Sequence, residues 1–322
     1  MKNLFAAFRG YLTDLIAAWD SFWFTPVDPA VLSAIRVVTG ALLLWTHLIW
    51  TLDLGAFFGP EGWVAPEIAA ATHVGRMTID IFPWLGGGWL LGLFHAFSLI
   101  VFFLLMIGWA SRVVAVLAFV LAVMYATHVT PGAFFGLDKI NCLLAMYTLL
   151  GPCGARYSLD RLLRRRRGEN ADPPASVSAN IALRLLQLHL CVVYLFSGLG
   201  KLQGVRWWDG TATWFAVANT EYRSLDFTWL ANHLWLVDLL THATVFWELF
   251  YCVIVWPRLA RPWVLLTAVG MHGFIGLGMG MPEFALAMLV ANAAFLSPEL
   301  VRGLLDPVAN RVAGLLGGGG ST

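Results

Sequence analysis

The chain has 322 residues, of which 59% are hydrophobic and only 12% charged, with a formal net charge of +1. Soluble domains carry about 25% charged residues, so this composition excludes an ordinary soluble protein and indicates one embedded in a membrane. Its apolar residues fall in blocks, most of them near the length of about 20 that a helix needs to cross a bilayer.

The first segment, residues 1–19, is amphipathic rather than uniformly apolar. Lys2, Arg9 and Asp14 alternate with phenylalanine and leucine, a pattern that predicts a helix lying in the membrane interface. No compact apolar core with a small-residue cleavage site follows the basic start, so we do not expect a cleavable signal peptide.

Eight apolar blocks follow and predict an all-α transmembrane bundle. They comprise residues 29–54, 88–109, 112–130, 139–152, 179–200, 230–256, 262–278 and 283–298. We interpret residues 1–300 as one transmembrane domain in two halves, 1–152 and 179–300, followed by a C-terminal tail at 301–322. The basic stretch 153–178 joins the halves. Its charge would also suit nucleic acid or anionic lipid, but a topological anchor is the simpler interpretation, and we expect no nucleic-acid partner.

The distribution of positive charge predicts the orientation of the bundle. With a cytoplasmic N-terminus, eight crossings put the arginines at 164–167, Arg258 and Arg261 inside, and leave mainly acidic residues in the outer loops. We therefore predict a multi-pass protein of the cell inner membrane with both termini in the cytoplasm.

Ionisable residues inside the apolar blocks are informative, because each costs free energy in a bilayer unless it is paired or hydrated. Towards the cytoplasmic side, Arg36 in the first block and Glu248 in the sixth are predicted to meet as an ion pair that fixes helix packing. The alternative is a proton or ion relay, which needs a continuous polar path across the membrane.

A richer polar group lies towards the outer side and predicts a pocket between the helices. It contains His128, Asp138, Lys139, Asn141, Lys201, Arg206, Asp209, His233, His272 and Glu283. The competing explanation is that membrane proteins collect polar and tryptophan residues at their interfaces.

Lys201 is the centre of this group because it ends the fifth block, in the motif SGLGK. Its ammonium either extends into water or sits partly desolvated, where it can serve as a base. The aromatic segments 55–87 and 201–229, the second with Trp207 and Trp208, are expected to cover the pocket. A cavity of this kind would admit an apolar ligand from the lipid, such as a prenylated quinone.

Other chemistry has little support in the sequence. The histidines and carboxylates lack the spacing of a metal site, and no phosphate loop or nucleophile elbow is present. The four cysteines form no recognisable pairing or zinc motif, so we predict free thiols.

Four stretches resemble the HTTM domain family, which includes vitamin K-dependent γ-glutamyl carboxylase, and the resemblance extends over about residues 3–300. They are FTPVDPAVLSAIRVVTG at 24–40, FSGLGKL with WWDG between 196 and 210, WELFY at 247–251, and MHGFIGLGMGM at 271–281. The resemblance implies a membrane-embedded enzyme of the carboxylase and epoxidase type, formally a lyase, whose cofactor is a reduced naphthoquinone of the vitamin K or menaquinol kind.

In the carboxylase a lysine after a membrane helix deprotonates the hydroquinone, and Lys201 matches its position. Oxygenation by O2 then gives a base that removes the γ-proton of a glutamate, which takes up CO2. Asn141 stands where the carboxylase has an activating histidine, and His272 or His128 would substitute for that histidine. The resemblance thus implies that Asn141 and His272 position the ring oxygens while Trp207 and Trp208 line the roof.

The family's carboxylase also has a large extramembrane domain for its protein substrate, whereas this chain ends shortly after its last apolar block. We therefore expect a different substrate, such as a secreted protein or peptide. The alternative function is non-catalytic: binding of a lipid or peptide, or maturation of or immunity to a secreted partner. Transport ranks last because repeats and a continuous polar path are missing.

Overall fold

The computed structural model describes residues 2–64, 67, 68, 71, 80–128, 136–170, 172–221 and 223–316. The predicted all-α fold is confirmed, since no strand occurs in these ranges and the one pairing of extended backbone is an isolated antiparallel bridge between Val27 and Ser176. Part of the predicted outer cover at 55–87 and the last six residues of the predicted tail lie outside the described residues.

Fifteen α-helices make up most of the described chain. They are α1 (Lys2–Phe24), α2 (Ala30–Trp50), α3 (Leu54–Phe58), α4 (Phe82–Leu85), α5 (Trp89–Ile107), α6 (Ser111–His128), α7 (Gly136–Leu149), α8 (Leu159–Arg166), α9 (Val177–Lys201), α10 (Val205–Trp208), α11 (Ala212–Val217), α12 (Leu234–Ile254), α13 (Arg261–Gly278), α14 (Pro282–Asn292) and α15 (Pro298–Leu316). Short 3₁₀ segments lie at Thr51–Asp53, Thr228–Asn232 and Ala293–Phe295.

Each of the eight predicted apolar blocks contains a helix, and five described helices are long and apolar enough to cross a membrane. These five are Ala30–Phe58, Trp89–Ile107, Ser111–His128, Val177–Lys201 and Leu234–Ile254. Helix α7 has only 14 residues, and the apolar segment Pro282–Phe295 is also shorter than a full span. The protein is therefore a membrane protein, while the count of eight crossings stays a prediction.

Helix contacts divide the chain into two compact units. The first comprises Met1–Leu185 with Leu296–Thr322, and the second comprises Leu186–Phe295. The boundary between the units falls inside α9 and not in the basic linker, so the two units have other bounds than the two predicted halves. The division into halves stays a prediction. In the first unit α2, α5, α6 and α7 pack as a four-helix ring, each against the next.

Arg36 is a fully buried residue that joins the ends of several segments in the first unit. Its guanidinium donates to the backbone oxygens of Leu105, Met106 (2.9 Å), Cys153 (3.1 Å) and Tyr157 (2.5 Å). Two of these oxygens belong to the last turn of α5, where helical carbonyls have no partner within the helix. The predicted ion pair between Arg36 and Glu248 is wrong: Arg36 acts as a helix cap, because its planar fork of donors fits converging carbonyls.

Both ends of the described chain are amphipathic helices in the first unit. Helix α1 confirms the predicted N-terminal helix and continues to Phe24, with Phe5, Phe8 and Trp19 among its exposed aromatic side chains. Helix α15 occupies Pro298–Leu316 and thus begins before the predicted tail 301–322, whose boundary stays a prediction. Asp306 on the polar side of α15 accepts a hydrogen bond from the Tyr157 hydroxyl at 3.0 Å, which connects α15 to the segment before α8.

The second unit is built from the end of α9, the hairpin of α13 and α14, and α12. The hairpin is tight because Gly276 leaves no room for a β-carbon: one placed there would lie 2.9 Å from the Ala285 side chain. The predicted aromatic cover 201–229 forms the short helices α10 and α11 and the start of a 3₁₀ turn. Within it, Asp209 accepts from the Thr211 hydroxyl (2.6 Å) and amide (3.0 Å), bonds that lower the pKa of the Asp209 carboxyl.

Candidate functional site

The predicted site residue Lys201 makes a bidentate ion pair with Glu248 in the second unit. Its Nζ lies 2.6 Å from Oε2 and 2.9 Å from Oε1, and it also donates to the Ser197 hydroxyl at 2.7 Å. An ammonium has three donors, so all three are used. The side chains of Lys201 and Glu248 are only 20% and 9% exposed. This is a largely buried charge pair with a complete set of hydrogen bonds.

The sequence of α9 explains how the pair is assembled. Ser197 and Lys201 are four residues apart and therefore share one helix face. Gly198, beside them, lets α12 approach, since a β-carbon there would meet the Leu249 side chain at 2.9 Å and its backbone nitrogen at 3.2 Å. Gly200 has nothing within 4 Å of the same position. Of the two glycines in the SGLGK motif, Gly198 thus brings Glu248 within reach of Lys201.

The pair corrects the predicted depths of its two residues. Sequence position had assigned Lys201 to the outer group and Glu248 to the cytoplasmic group. Glu248 lies about 21 Å along α12 from Leu234, at 1.5 Å per residue, yet it bonds directly to the last residue of α9. Lys201 and Glu248, which the sequence analysis assigned to different groups, therefore meet, and the Lys201 ammonium is bonded within the protein.

The two predicted roof tryptophans differ in their relation to Lys201. The Trp207 ring centroid lies 5.2 Å from Nζ, within cation–π range. Trp208 is 66% exposed and donates its indole N–H to the Leu202 carbonyl oxygen at 2.7 Å. Trp207 thus belongs to the surroundings of the ion pair, and the indole N–H of Trp208 is already engaged by the backbone.

A second polar network, which the sequence analysis missed, connects one residue from each of four helices. The Tyr251 hydroxyl donates to Asn292 Oδ1 at 2.8 Å, and Asn292 Nδ2 donates to the Tyr194 hydroxyl oxygen at 2.9 Å. Tyr194 in turn lies 2.8 Å from Nε2 of His272, a predicted site residue. All four are buried. The helical spacing of Tyr194, Ser197 and Lys201 was the available signal, because it puts them on one face.

Two buried nitrogen atoms beside this network have no hydrogen-bond partner among the described residues: Nδ1 of His272 and Nε1 of Trp247. The Trp247 ring packs edge-on against Tyr194 with centroids 4.8 Å apart. Such groups are uncommon in folded proteins, because a buried polar atom without a partner costs free energy. Within the second unit, these two nitrogen atoms are the strongest indication of a position where a ligand could form hydrogen bonds.

The remaining predicted site residues, Asn141 and His128, belong to the first unit. Asn141 is buried, and its Oδ1 has no partner within the described part of the chain. His128 lies 2.9 Å from Asp80 through Nδ1 and packs against Phe58 and Phe82. Their predicted contribution to a site with Lys201 stays a prediction.

The first unit also has a buried polar cluster that the sequence analysis did not identify. His95 Nδ1 lies 2.9 Å from the Tyr125 hydroxyl, and its Nε2 lies 2.8 Å from the Thr51 hydroxyl and 3.1 Å from the His47 carbonyl oxygen. Aromatic rings from Trp50, Phe58 and Phe94 surround it. Such satisfied contacts are typical of packing.

Neither metal ligation nor disulfide chemistry is visible in the described ranges. No group of three or more histidine, cysteine, aspartate or glutamate residues there is arranged to hold a metal ion. All four cysteines are free thiols, as predicted.

The comparisons with known proteins identify a family. A family model described as the HTTM domain matches residues 24–299, which include Lys201, Glu248 and the Tyr194 network. No curated protein and no solved structure matches the chain. The match covers well over half of the sequence and agrees with the four resembling stretches. The chain therefore belongs to the HTTM domain family.

Proposed function

We propose that this HTTM protein is a membrane enzyme that binds a reduced naphthoquinone and uses the pair of Lys201 and Glu248 as its base. The observation that carries the proposal is the pair itself, largely buried in apolar helices with its hydrogen bonds complete. Apolar residues of the same volume would pack these helices at less cost, because burying two charges costs free energy that their attraction only partly offsets. Ionisable residues inside membrane helices are for this reason functional by default.

The surroundings of the pair suit a flat apolar ring. Trp207 lies against the ammonium, and two buried N–H groups on Trp247 and His272 lack acceptors among the described residues. When bound, a reduced naphthoquinone would supply reducing equivalents and an acidic hydroxyl. The protein side must then accept that hydroxyl proton in a site of low polarity.

The proton acceptor has to be the pair rather than Lys201 alone. All three ammonium hydrogens are bonded, so Nζ can accept a proton only as it gives one up. Glu248 Oε2, at 2.6 Å, is placed to take it. A hydroxyl proton passed to Nζ while an Nζ proton moves to Oε2 leaves a neutral Glu248 and an ammonium that balances the new negative charge. Lys201 is then the base, as the family resemblance implies, and Glu248 is where the proton ends.

Further elements of the proposal extend from the family resemblance. With O2 and CO2 as co-substrates, the reaction would be coupled to modification of a secreted protein or peptide. The charge distribution supports an inner-membrane location with both termini cytoplasmic.

The test is quinol oxidation by the purified protein in lipid nanodiscs under oxygen, with product followed by chromatography. Lys201→Met and Glu248→Gln are expected to lose at least 100-fold in turnover, within the range of general base catalysis. The control is Arg112→Met, which removes an exposed arginine of the first unit and should keep full turnover. Unchanged turnover in a folded Lys201→Met protein would refute the base.

One observation favours a second, non-catalytic function. Because every donor of Lys201 is satisfied within the chain, the pair would also serve to hold α9 against α12 in a protein that binds a lipid or peptide, or matures or protects against a secreted partner. That function predicts no quinol oxidation above empty nanodiscs in the wild-type protein, together with a normal melting temperature.

A further inference from the structure

The hydrogen bonds around Asn292 fix the direction of the whole second network. Asn292 Nδ2 lies 2.9 Å from the Met288 carbonyl oxygen, which can only accept, so this side of the amide must be its NH2 group. The same NH2 group donates to the Tyr194 oxygen. The opposite side, Oδ1, accepts from the Tyr251 hydroxyl. The amide orientation therefore follows from the contacts.

The same reasoning assigns the tautomer of His272. The Tyr194 oxygen accepts from Asn292, and among the described residues the acceptor within reach of its hydroxyl hydrogen is His272 Nε2 at 2.8 Å, so we assign that hydrogen to this bond. Nε2 is then the acceptor nitrogen, and the ring hydrogen of the neutral imidazole is on Nδ1. His272 Nδ1–H is thus a buried donor with no acceptor among the described residues, on a side chain only 4% exposed.

Trp247 provides a second donor of the same kind beside the same tyrosine. An indole nitrogen can only donate, and Trp247 Nε1–H is buried without an acceptor in the described chain. Its ring packs on Tyr194 at 4.8 Å and on Tyr251 at 5.0 Å. Two N–H donors on rings that both contact Tyr194 are left to be satisfied, although buried donors are normally paired.

We propose that Trp247 and His272 form an acceptor-binding subsite that holds a carbonyl oxygen of an apolar ring compound, as in the dicarbonyl form of a naphthoquinone. This inference rests on the proposed function and deepens it, because it assigns the oxidised ring a contact separate from the base. A carbonyl carries two lone pairs and no hydrogen, so it matches N–H donors and offers nothing that competes with them. The apolar surroundings strengthen such hydrogen bonds and exclude ligands without an acceptor.

The test compares two ligands of the same shape, 2,3-dimethyl-1,4-naphthoquinone and 2,3-dimethylnaphthalene. The first has two carbonyl acceptors and no free ring position for addition of the cysteine thiols, and the second has no acceptor. Binding of each to the protein in nanodiscs is measured by equilibrium dialysis, with empty nanodiscs subtracted. Trp247→Phe removes one donor and keeps an aromatic ring, and His272→Leu removes the other.

We expect each variant to weaken naphthoquinone binding by about tenfold, the equivalent of one hydrogen bond of about 1.4 kcal/mol, and to leave hydrocarbon binding unchanged. Trp247→Phe should melt no lower than the wild type without ligand, because it removes an unsatisfied buried donor. Trp263→Phe, at a tryptophan of α13 that is 71% exposed, is the matched control and should change neither ligand's binding.

The proposal is overturned if Trp247→Phe keeps the wild-type preference for the naphthoquinone over the hydrocarbon, since the indole donor would then be satisfied by water. This outcome is independent of whether His272→Leu folds. It is also independent of turnover: loss of the ligand preference in Trp247→Phe with undiminished oxidation in Lys201→Met would retain the subsite and reject the base. If instead Trp247→Phe keeps the ligand preference and Lys201→Met loses turnover, the base is retained and the subsite is rejected.

Discussion

Arg36 and Lys201 are both cations buried among apolar helices, and their partners differ in kind. In the first unit Arg36 donates only to backbone carbonyl oxygens, one of them on Cys153. In the second unit Lys201 donates to the carboxylate of Glu248 and to a hydroxyl. A carbonyl cannot take up a proton at ordinary pH, whereas a carboxylate can. The arrangement around Arg36 is therefore fixed, and that around Lys201 can exchange a proton.

The difference also separates the energetic roles of the two residues. The carbonyls around Arg36 would need donors whatever the protein does, because they lie at the end of α5 and in the segment between α7 and α8. Glu248, in contrast, needs a partner only because its carboxylate is charged, and an apolar residue at this position would need none. Removing Arg36 should consequently cost stability that no second mutation restores, while the loss at Lys201 should be reversible by changing Glu248 as well.

The largest effect is expected for Arg36→Met. The variant removes the arginine donor from four backbone carbonyls, of which, among the described residues, only that of Leu105 keeps a second donor, the Gly108 amide. Each unsatisfied carbonyl costs about 1–3 kcal/mol, so we expect a loss of at least about 3 kcal/mol in the free energy of unfolding. Reversible unfolding in SDS measures it. Arg112→Met, at an exposed arginine of α6, should change it by less than about 0.5 kcal/mol. An Arg36→Met protein as stable as the Arg112 control would contradict the cap.

A double-mutant cycle at Lys201 and Glu248 tests the other side of the comparison. Lys201→Met alone leaves a buried carboxylate without its partner and should lower the free energy of unfolding by about 3–5 kcal/mol. The double variant Lys201→Met/Glu248→Met should recover most of that loss. Turnover should be absent from both. SDS unfolding and the quinol assay on the same samples separate stability from activity.

The control for this cycle is an exposed ion pair, Arg167 with Glu169, whose side chains are 70% and 50% exposed at 4.0 Å. Its coupling energy should stay below about 0.5 kcal/mol, because solvent screens exposed pairs. If the two Lys201 and Glu248 substitutions were simply additive in stability, the buried pair would have no special coupling and the contrast with Arg36 would disappear.

The two glycines of the SGLGK motif give the next effect in size. Gly198→Ala puts a methyl group against Leu249, including its backbone nitrogen, and should cost about 1–3 kcal/mol by separating α9 from α12. Gly200→Ala has open space and should be neutral or slightly stabilising, because alanine favours the helix. Turnover should fall only in the Gly198 variant. Equal melting temperatures for the two variants would show that Gly198 does not set the helix spacing.

The sequence was sufficient to predict the apolar helices, and α13 shows why. The predicted block 262–278 differs from the observed Arg261–Gly278 by one residue, because an apolar run bounded by charge and glycine fixes a helix locally. The same local information singled out Lys201, which the structure places in a largely buried ion pair.

What the sequence could not predict was the partner of each charge. The prediction took position along each block as a measure of depth, which separated Lys201 from Glu248 and joined Glu248 to Arg36. Their actual pairing depends on where α9 meets α12, a non-local contact that Gly198 permits but does not specify by itself. The neutral residues of the second network escaped notice because only ionisable groups were sorted by depth, although Tyr194 shares a helix face with Lys201.

The smallest effect is expected for Ser197→Ala, and it sharpens the comparison most. The substitution removes the 2.7 Å hydrogen bond to Nζ but leaves the carboxylate in place, so stability should fall by only about 1 kcal/mol. The described partners of Arg36 are backbone oxygens and include no side-chain hydroxyl, so loss of one hydroxyl tests only Lys201. With one ammonium hydrogen released, Lys201 is less firmly oriented, and turnover should drop several-fold while quinone binding is retained.

The control is Ser224→Ala, at an exposed hydroxyl in the loop before α12, which should leave turnover unchanged. A Ser197→Ala protein with wild-type turnover would mean that the two carboxylate contacts alone orient the amine, and Ser197 would then have only a packing role.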